Sequence, residues 1–581
     1  MSEFRCGRGL WRRLIAIAAI ALLDPIARGA EPPADPPRPR LAVVVVVDQL
    51  RGDYLERWEK LFGEGGFKRL TTDGAWFQNC HYPFAYTMTG PGHASISTGV
   101  SPAKHGIVTN VWYDRAAGRE VYCVDSDRHE RVPPAVKKPD ATPVKKVVGI
   151  SPERLLVPTL GDLLKDATGG KGRVVAVSFK DRSAVLMGGR HPDACYWFDT
   201  AAGEFVTSTY YTDAPHSWVK EFNKGRPADR WFGKDWTRLR PELDYARHSG
   251  PDDIAAEGIG SVQGRTLPHP TSGGLKAAGK KYYDAVYNSP FGNDLLLDFV
   301  KRAIDAEHLG EDDTPDLLCV SFSSNDIVGH TWGPDSQEVL DTTLRTDLVI
   351  KGLLDHLDAR VGKGRYVLAL SADHGICPLP EVARTQGKDA GFVSPSLLTT
   401  QANDFLNETF GKKAEGEKAD KKTRWVESGA EVGPWVYFNR AVLKDQGVEP
   451  ADAEVALVRW LRQQAGVQAA YGRSQLADLP KDDAVGAAVR RSFHPDRCGD
   501  VAVVLKPYYL MSNKFTGTTH GAPHAYDTHV PLVVFGSGVR AGARKDRVTP
   551  QAAAVIIAHA LGIKPPKDAE AELPAELFAR P

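Results

Sequence analysis

Five short apolar runs, each closed by polar or charged residues, constrain this chain more than any other feature. They are Leu41–Val47 before Asp48, "GRVVAVSFKDRS", "PDLLCVSFSSND", "RYVLALSADHG" and "HVPLVVFGSG". A β-branched run without polar alternation reads as a strand buried on both faces, and the segments between these runs have helical spacing. The pattern predicts an α/β fold with a central, largely parallel sheet, helices on both faces, and inserted cap and loop regions. Ligands of such sheets bind beyond the carboxyl ends of the strands. Asp48, Lys180 with Arg182, Asp326, and Asp373 with His374 are therefore expected to converge, although they are scattered along the sequence.

The N-terminus reads as an address. Arg5, Arg8, Arg12 and Arg13 precede the apolar run 14–23, long enough for a signal-peptide core but too short to span a bilayer. The expectation is export to the periplasm or medium, with residues 1–30 removed, residues 31–40 a proline-rich tether, and no membrane span left. Residues 41–581 are expected to form one catalytic domain with insertions at about 196–290 and 385–500. Residues 125–153 and 247–280 read as surface excursions and 411–424 as a solvated loop. The aromatic belt from Tyr196 to Trp236 reads as the small core of an insertion.

Basic and acidic side chains balance at 73 each; removing residues 1–30 takes out five Arg and two acidic residues and leaves a net −3. Such a chain has no general attraction for nucleic acid or acidic membrane, which points to a small, localised target. The mature chain keeps Cys80, Cys123, Cys195, Cys319, Cys377 and Cys498. Their even number permits disulfides, but the wide spacing is unlike a stapled scaffold, and the absence of Cys-x-x-Cys argues against a thiolate metal site.

The polar strand ends supply chemistry. Asp48, Asp326, Asp373, His330, His374 and the late His520 offer three carboxylates and three imidazoles. Mixed oxygen and nitrogen donors suit zinc better than calcium, and they are too many for one tetrahedral ion. Singly, each is as well read as a helix cap or a satisfied histidine. The stretch "AYTMTGPGH" places Thr87 and Thr89 on a turn expected to be held open by Gly90, Pro91 and Gly92, leading into a helix "HASISTG". A metal can stabilise a hydroxyl as its alkoxide without a histidine base, and Thr87, Ser95 and Ser97 rival Thr89 for that role. Lys180 and Arg182 would share a face if their strand persists, and suit a phosphoryl dianion.

Taken together, "VVVVDQLRGDYL", "TMTGPGHASISTG", "HGIVTNVWYD", "SFKDRSAVLMGG", "SSNDIVGH", "SADHG" and "THGAPHAYDTHVPLVVFG" resemble the alkaline phosphatase superfamily, most closely the PafA-type alkaline phosphatases. The resemblance runs from about Leu41 to about residue 563. It implies an alkaline-phosphatase-like fold and hydrolysis of small phosphate monoesters with two Zn²⁺. By motif, Thr89 is the nucleophile; Asp48, Thr89, Asp373 and His374 hold one zinc; Asp326, His330 and His520 hold the other. His520 is preferred to His524 because Gly follows it directly. Asn110, Lys180 and Arg182 match the contacts to phosphoryl oxygens. The rival readings are a phosphodiesterase of the nucleotide pyrophosphatase type on the same site, and a surface protein that binds phosphate without turnover. A sulfatase lacks its C/S-x-P-x-R signature here, and a serine hydrolase lacks G-x-S-x-G.

Overall fold

The computed structural model describes residues 38–135, 149–412, 423–427 and 433–578, all within the compact unit Pro37–Arg580. The expected signal peptide, nearly all of the tether and most of the 411–424 loop lie outside the described residues. All five apolar runs are strands of one sheet. In chain order its strands are β1 (Leu41–Val47), β2 (Ala75–Phe77), β3 (Arg131–Val132), β4 (Val174–Ser178), β5 (Ala194–Asp199), β6 (Glu204–Ser208), β7 (Asp316–Phe322), β8 (Tyr366–Ser371), β9 (Leu532–Gly536) and β10 (Gly542–Arg544).

They lie side by side in the order β10-β2-β9-β8-β1-β7-β4-β5-β6-β3. From β8 to β5 the strands are parallel, while β9 runs antiparallel to β8. The fifth run therefore enters the sheet in reverse. All seven residues of β1 are buried, as a strand with parallel neighbours and covered faces requires.

Strand register positions the site. Val46 pairs with Ser371 on one side and with Ser321 on the other, and Ser321 pairs in turn with Ser178. Strands β8, β1, β7 and β4 thus end at one level, and the residues that follow them emerge together. Three helices start there: α1 (Thr89–Thr98), α2 (Asp181–Gly188) and α3 (Ser324–Trp332).

Several expectations change. The Gly-Pro-Gly stretch is the first turn of α1, with Thr89 its first residue. Proline fits there because first-turn N–H groups have no partner within the helix. The aromatic belt has no separate core: Tyr196, Trp197, Phe198, Trp218, Trp231 and Trp236 join the main apolar cluster, and Tyr196 to Phe198 lie in β5. Residues 247–280 are not simply a surface excursion, since Glu257, His269 and Thr271 are buried. Asp125 and Ser126 are buried as well. The six described cysteines are buried and free, so the disulfides that their even number permitted do not form. A second apolar cluster, including Leu398, Phe438, Leu457 and Val503, packs around the three-stranded sheet of Trp435–Val436, Val501–Leu505 and Val467–Gly472.

Candidate active site

Two groups of side chains meet above the strand ends with the spacing of metal ligands: Asp48, Asp373 and His374, and Asp326, His330 and His520. Asp48 follows β1 directly, and Asp373 and His374 follow β8 after Ala372. Asp326 and His330 are four apart on α3, so one helix face presents both. His520 comes from the loop between Met511 and Ala525. His524 is turned away, its Nε2 set against the Leu505 carbonyl at 2.9 Å.

The imidazoles are oriented alike. Nδ1 of His330 donates to Thr518 O at 2.7 Å, that of His520 to Thr87 O at 2.8 Å, and that of His374 to Gly375 O at 2.9 Å. A carbonyl only accepts, so these bonds place each proton on Nδ1 and leave Nε2 as a free donor atom facing inward. The inward atoms are close: His330 Nε2 is 3.3 Å and His520 Nε2 3.8 Å from Asp326 Oδ1. His374 Nε2 is 3.3 Å from Asp373 Oδ2 and 3.6 Å from Asp48 Oδ1.

The residues present fit metal cations. Asp48 Oδ1 and Asp373 Oδ2 are buried without a hydrogen bond, a costly arrangement unless positive charge lies between them. Burial, and then the Asp373 carboxylate, push the Asp48 carboxyl well above its ordinary range. Burial, and then His374 and His330, push His520 well below its own. Asp326 goes the other way: against its burial, the Lys180 ammonium and then His330 hold it well below the usual carboxylate range. Divalent cations would bring all of these donors into the ligating state.

Among the hydroxyls near the start of α1, position decides. Thr89 Oγ1 is 3.4 Å from His374 Nε2, 3.4 Å from Lys180 Nζ and 3.2 Å from Arg182 Nη2. The rivals are engaged elsewhere: Thr87 donates to Ala522 O, Ser95 pairs with His105, and Ser97 donates to Leu186 O. Gly92 explains the close approach, because a side chain there would collide with the Asp373 backbone carbonyl. The positive end of α1 adds to the field at Thr89.

Lys180 and Arg182 reach Thr89 by a different route from the one expected. Strand β4 stops at Ser178; Lys180 is the N-cap of α2 and Arg182 lies in its first turn. Lys180 Nζ also pairs with Asp48 Oδ2 at 2.7 Å and Asp326 Oδ2 at 2.6 Å. Asn110 Oδ1 accepts the Gly90 N–H at 2.7 Å, which leaves the Asn110 amide N–H groups as the donors available to a ligand.

Three supporting residues escaped the sequence reading. Gln49 donates from Nε2 to Asp326 Oδ1 at 2.7 Å and from its backbone N–H to Asp373 Oδ1 at 3.1 Å, so it touches both groups. Its φ of 68° is the left-handed conformation that non-glycine residues seldom adopt. Gly329 makes room for it, since a side chain there would strike Gln49 Oε1. Its place directly after Asp48 was the only sequence signal. His93 Nδ1 lies 2.8 Å from Thr89 O and 3.3 Å from Asp373 Oδ2. Tyr122 accepts from Arg182 Nη1 at 3.1 Å and donates to Asp181 at 2.6 Å; no motif around Tyr122 announced it.

The fold and this site define a class: the chain belongs to the Type I phosphodiesterase / nucleotide pyrophosphatase family of the alkaline phosphatase superfamily, whose model matches residues 42–527. Within it, the chain is 34% identical to alkaline phosphatase PafA of Elizabethkingia meningoseptica over 519 residues, covering 88% of this chain and 90% of that protein. A crystal structure of wild-type PafA matches with a TM-score of 0.84 and 33% identity, covering 94% of this chain and 99% of that one. Alkaline phosphatase PhoV of Synechococcus elongatus is 33% identical over 505 residues, with coverage of 87% and 86%. A Myroides odoratus protein named calcium-transporting ATPase is 34% identical over 508 residues, with coverage of 87% and 88%. No helix among the described residues here is long and apolar enough to cross a membrane.

Proposed function

We propose that this chain is an exported, zinc-dependent phosphatase that hydrolyses small phosphate monoesters through a phosphothreonine at Thr89. The observation that carries the reading is the setting of Thr89 Oγ1, within 3.4 Å of His374 Nε2, Lys180 Nζ and Arg182 Nη2. Asp48, Thr89, Asp373 and His374 would hold one ion, and Asp326, His330 and His520 the other. Bound there, zinc would lower the pKa of the Thr89 hydroxyl and of the hydrolytic water and neutralise charge on the departing oxygen. Export is read from residues 1–30, and residues 41–581 as one catalytic domain with its insertions.

The chain's own groups do the positioning. Lys180, Arg182 and the Asn110 amide hold the three non-bridging oxygens of the phosphoryl group, whose charge they offset in the transition state. The Thr89 oxygen then attacks phosphorus in line as the ester P–O bond breaks and the alcohol departs. Water attacks the phosphothreonine, inorganic phosphate leaves, and Thr89 regains its proton. A solved PafA variant alters a threonine, an asparagine, a lysine and an arginine together, the same residue types in the same order as Thr89, Asn110, Lys180 and Arg182. Two cations beside the nucleophile suit a dianionic monoester better than a singly charged diester.

The test is the ratio of kcat/KM for an aryl phosphate monoester to that for the matching diester, on residues 31–581 reconstituted with zinc. A strong monoester preference that a chelator abolishes is expected, and Thr89→Ala should trap no covalent phosphate. A diester preference would reassign the substrate to the phosphodiesterase reading. No turnover of either would favour the phosphate-binding protein.

A further inference from the structure

Two cavities flank the second ligand group, and they differ in character. One, of about 200 Å³, has a mostly apolar wall that includes Tyr86, Met88, Val503, Leu510, Tyr526 and the His520 ring. The other, of about 360 Å³, adjoins His330 and is lined by Lys514, Thr516, Thr518 and the loop at Gly258. Leu510 and Thr519 line both. The two spaces therefore lie side by side at the edge of the site, one apolar and one polar.

Resting on the phosphatase reading, we propose that the apolar cavity is the leaving-group subsite, and that it makes esters of apolar alcohols, with alkyl or aryl groups, the preferred substrates. In-line displacement fixes the direction. Thr89 Oγ1 lies on the side of His374, so the departing oxygen lies across phosphorus from it, toward Asp326, His330 and His520. His520 is the member of that group that walls the apolar cavity, and Met88, the residue before the nucleophile, walls it too.

Its size and wall identify the occupant. An apolar cavity of about 150 Å³ holds benzene and excludes water, so about 200 Å³ accommodates one ring or a short alkyl chain. Val503 comes from the three-stranded sheet and Tyr86 from the segment before α1; Tyr86 is anchored by its hydroxyl to Val503 O at 3.2 Å. This wall is built between two parts of the chain. A polyol or charged alcohol would lose its hydration there and find few partners on the wall besides Thr519 and Asp527, and the Lys514 side would suit it better.

Ethyl, butyl and hexyl phosphate test the assignment, because their leaving alcohols have nearly equal basicity and differ only in apolar length. Each methylene that enters the cavity is expected to raise kcat/KM by about two- to fourfold. Leu510→Trp, which fills the cavity, should collapse the hexyl-to-ethyl ratio toward one. Competitive inhibition of the unaltered zinc enzyme by alkylphosphonates of the same lengths reads the same preference without a variant, should Leu510→Trp fail to fold. A flat series with normal turnover would overturn the subsite and leave the phosphatase reading intact. So would a flat series accompanied by a selective loss on glycerol phosphate in Lys514→Ala. No turnover of any monoester would overturn the phosphatase reading, and the subsite with it.

Discussion

Gln49→Leu isolates one hydrogen bond in the frame of the site. Leu has nearly the length of Gln and carries a Cβ like it, so the backbone at φ 68° meets no new demand. The backbone N–H bond to Asp373 survives, and Asp326 keeps its contact with Lys180 at 2.6 Å. What is lost is the amide donor 2.7 Å from Asp326 Oδ1. A hydrogen bond to a charged group contributes ~1.5–3 kcal/mol, which is about 10- to 150-fold in an equilibrium constant. That range overlaps the 10- to 100-fold or so typical when a residue supporting a metal ligand is removed. The expected result is a 10- to 100-fold weaker zinc site at Asp326, His330 and His520, roughly, with the Asp48, Asp373 and His374 site nearly unchanged. Chelator-buffered zinc titration, resolved for the two sites, measures this, with the Tm of the metal-free protein recorded alongside. Zinc affinities within about twofold of the parent, or an equal loss at both sites together with a collapsed Tm, would show that the Gln49 amide does not support Asp326 as a ligand.

Three further outcomes are expected. Lys180→Ala with Arg182→Ala should cost monoesters about 10- to 150-fold more in kcat/KM than diesters, since a diester has one charged oxygen fewer and forgoes one charge-assisted bond of ~1.5–3 kcal/mol; equal losses on both would remove the role assigned to the pair. Gly92→Ala drives a methyl into the Asp373 carbonyl, and overpacking of that kind costs ~1–3 kcal/mol. A lowered Tm and weakened zinc binding at Asp48, Asp373 and His374 should follow, and a variant indistinguishable in both would show that the backbone yields. Glu257 is 2% exposed, its Oε1 lacks a hydrogen bond, and burial and then Glu338 push its carboxyl up to about 8 from 4.5. The unfolded chain releases this proton first, so the group's stabilising contribution is complete below about pH 4.5 and is lost as pH rises through about 8. Glu257→Gln should therefore raise Tm more at pH 9 than at pH 5; equal shifts at the two would contradict the buried acid.

Five strands of the sheet, and the convergence of the polar residues that end them, were legible in the sequence. A strand such as Leu41–Val47 cannot face water on either side, so covered faces follow from its composition, and polar residues that end parallel runs gather where the strands stop. Motif order then singled out Thr89 and the three aspartates and three histidines around it. Other features were decided only by the tertiary structure, because they depend on what packs across from a residue rather than on the residue. The reversed direction of β9, the absorption of Trp197 and Trp236 into the main core, and the helical setting of Arg182 were not written in local spacing. Gln49 gives the clearest case. Nothing in its neighbours announces a left-handed backbone, which persists because Asp373, Asp326 and the bare Cα of Gly329, hundreds of residues away, hold it there.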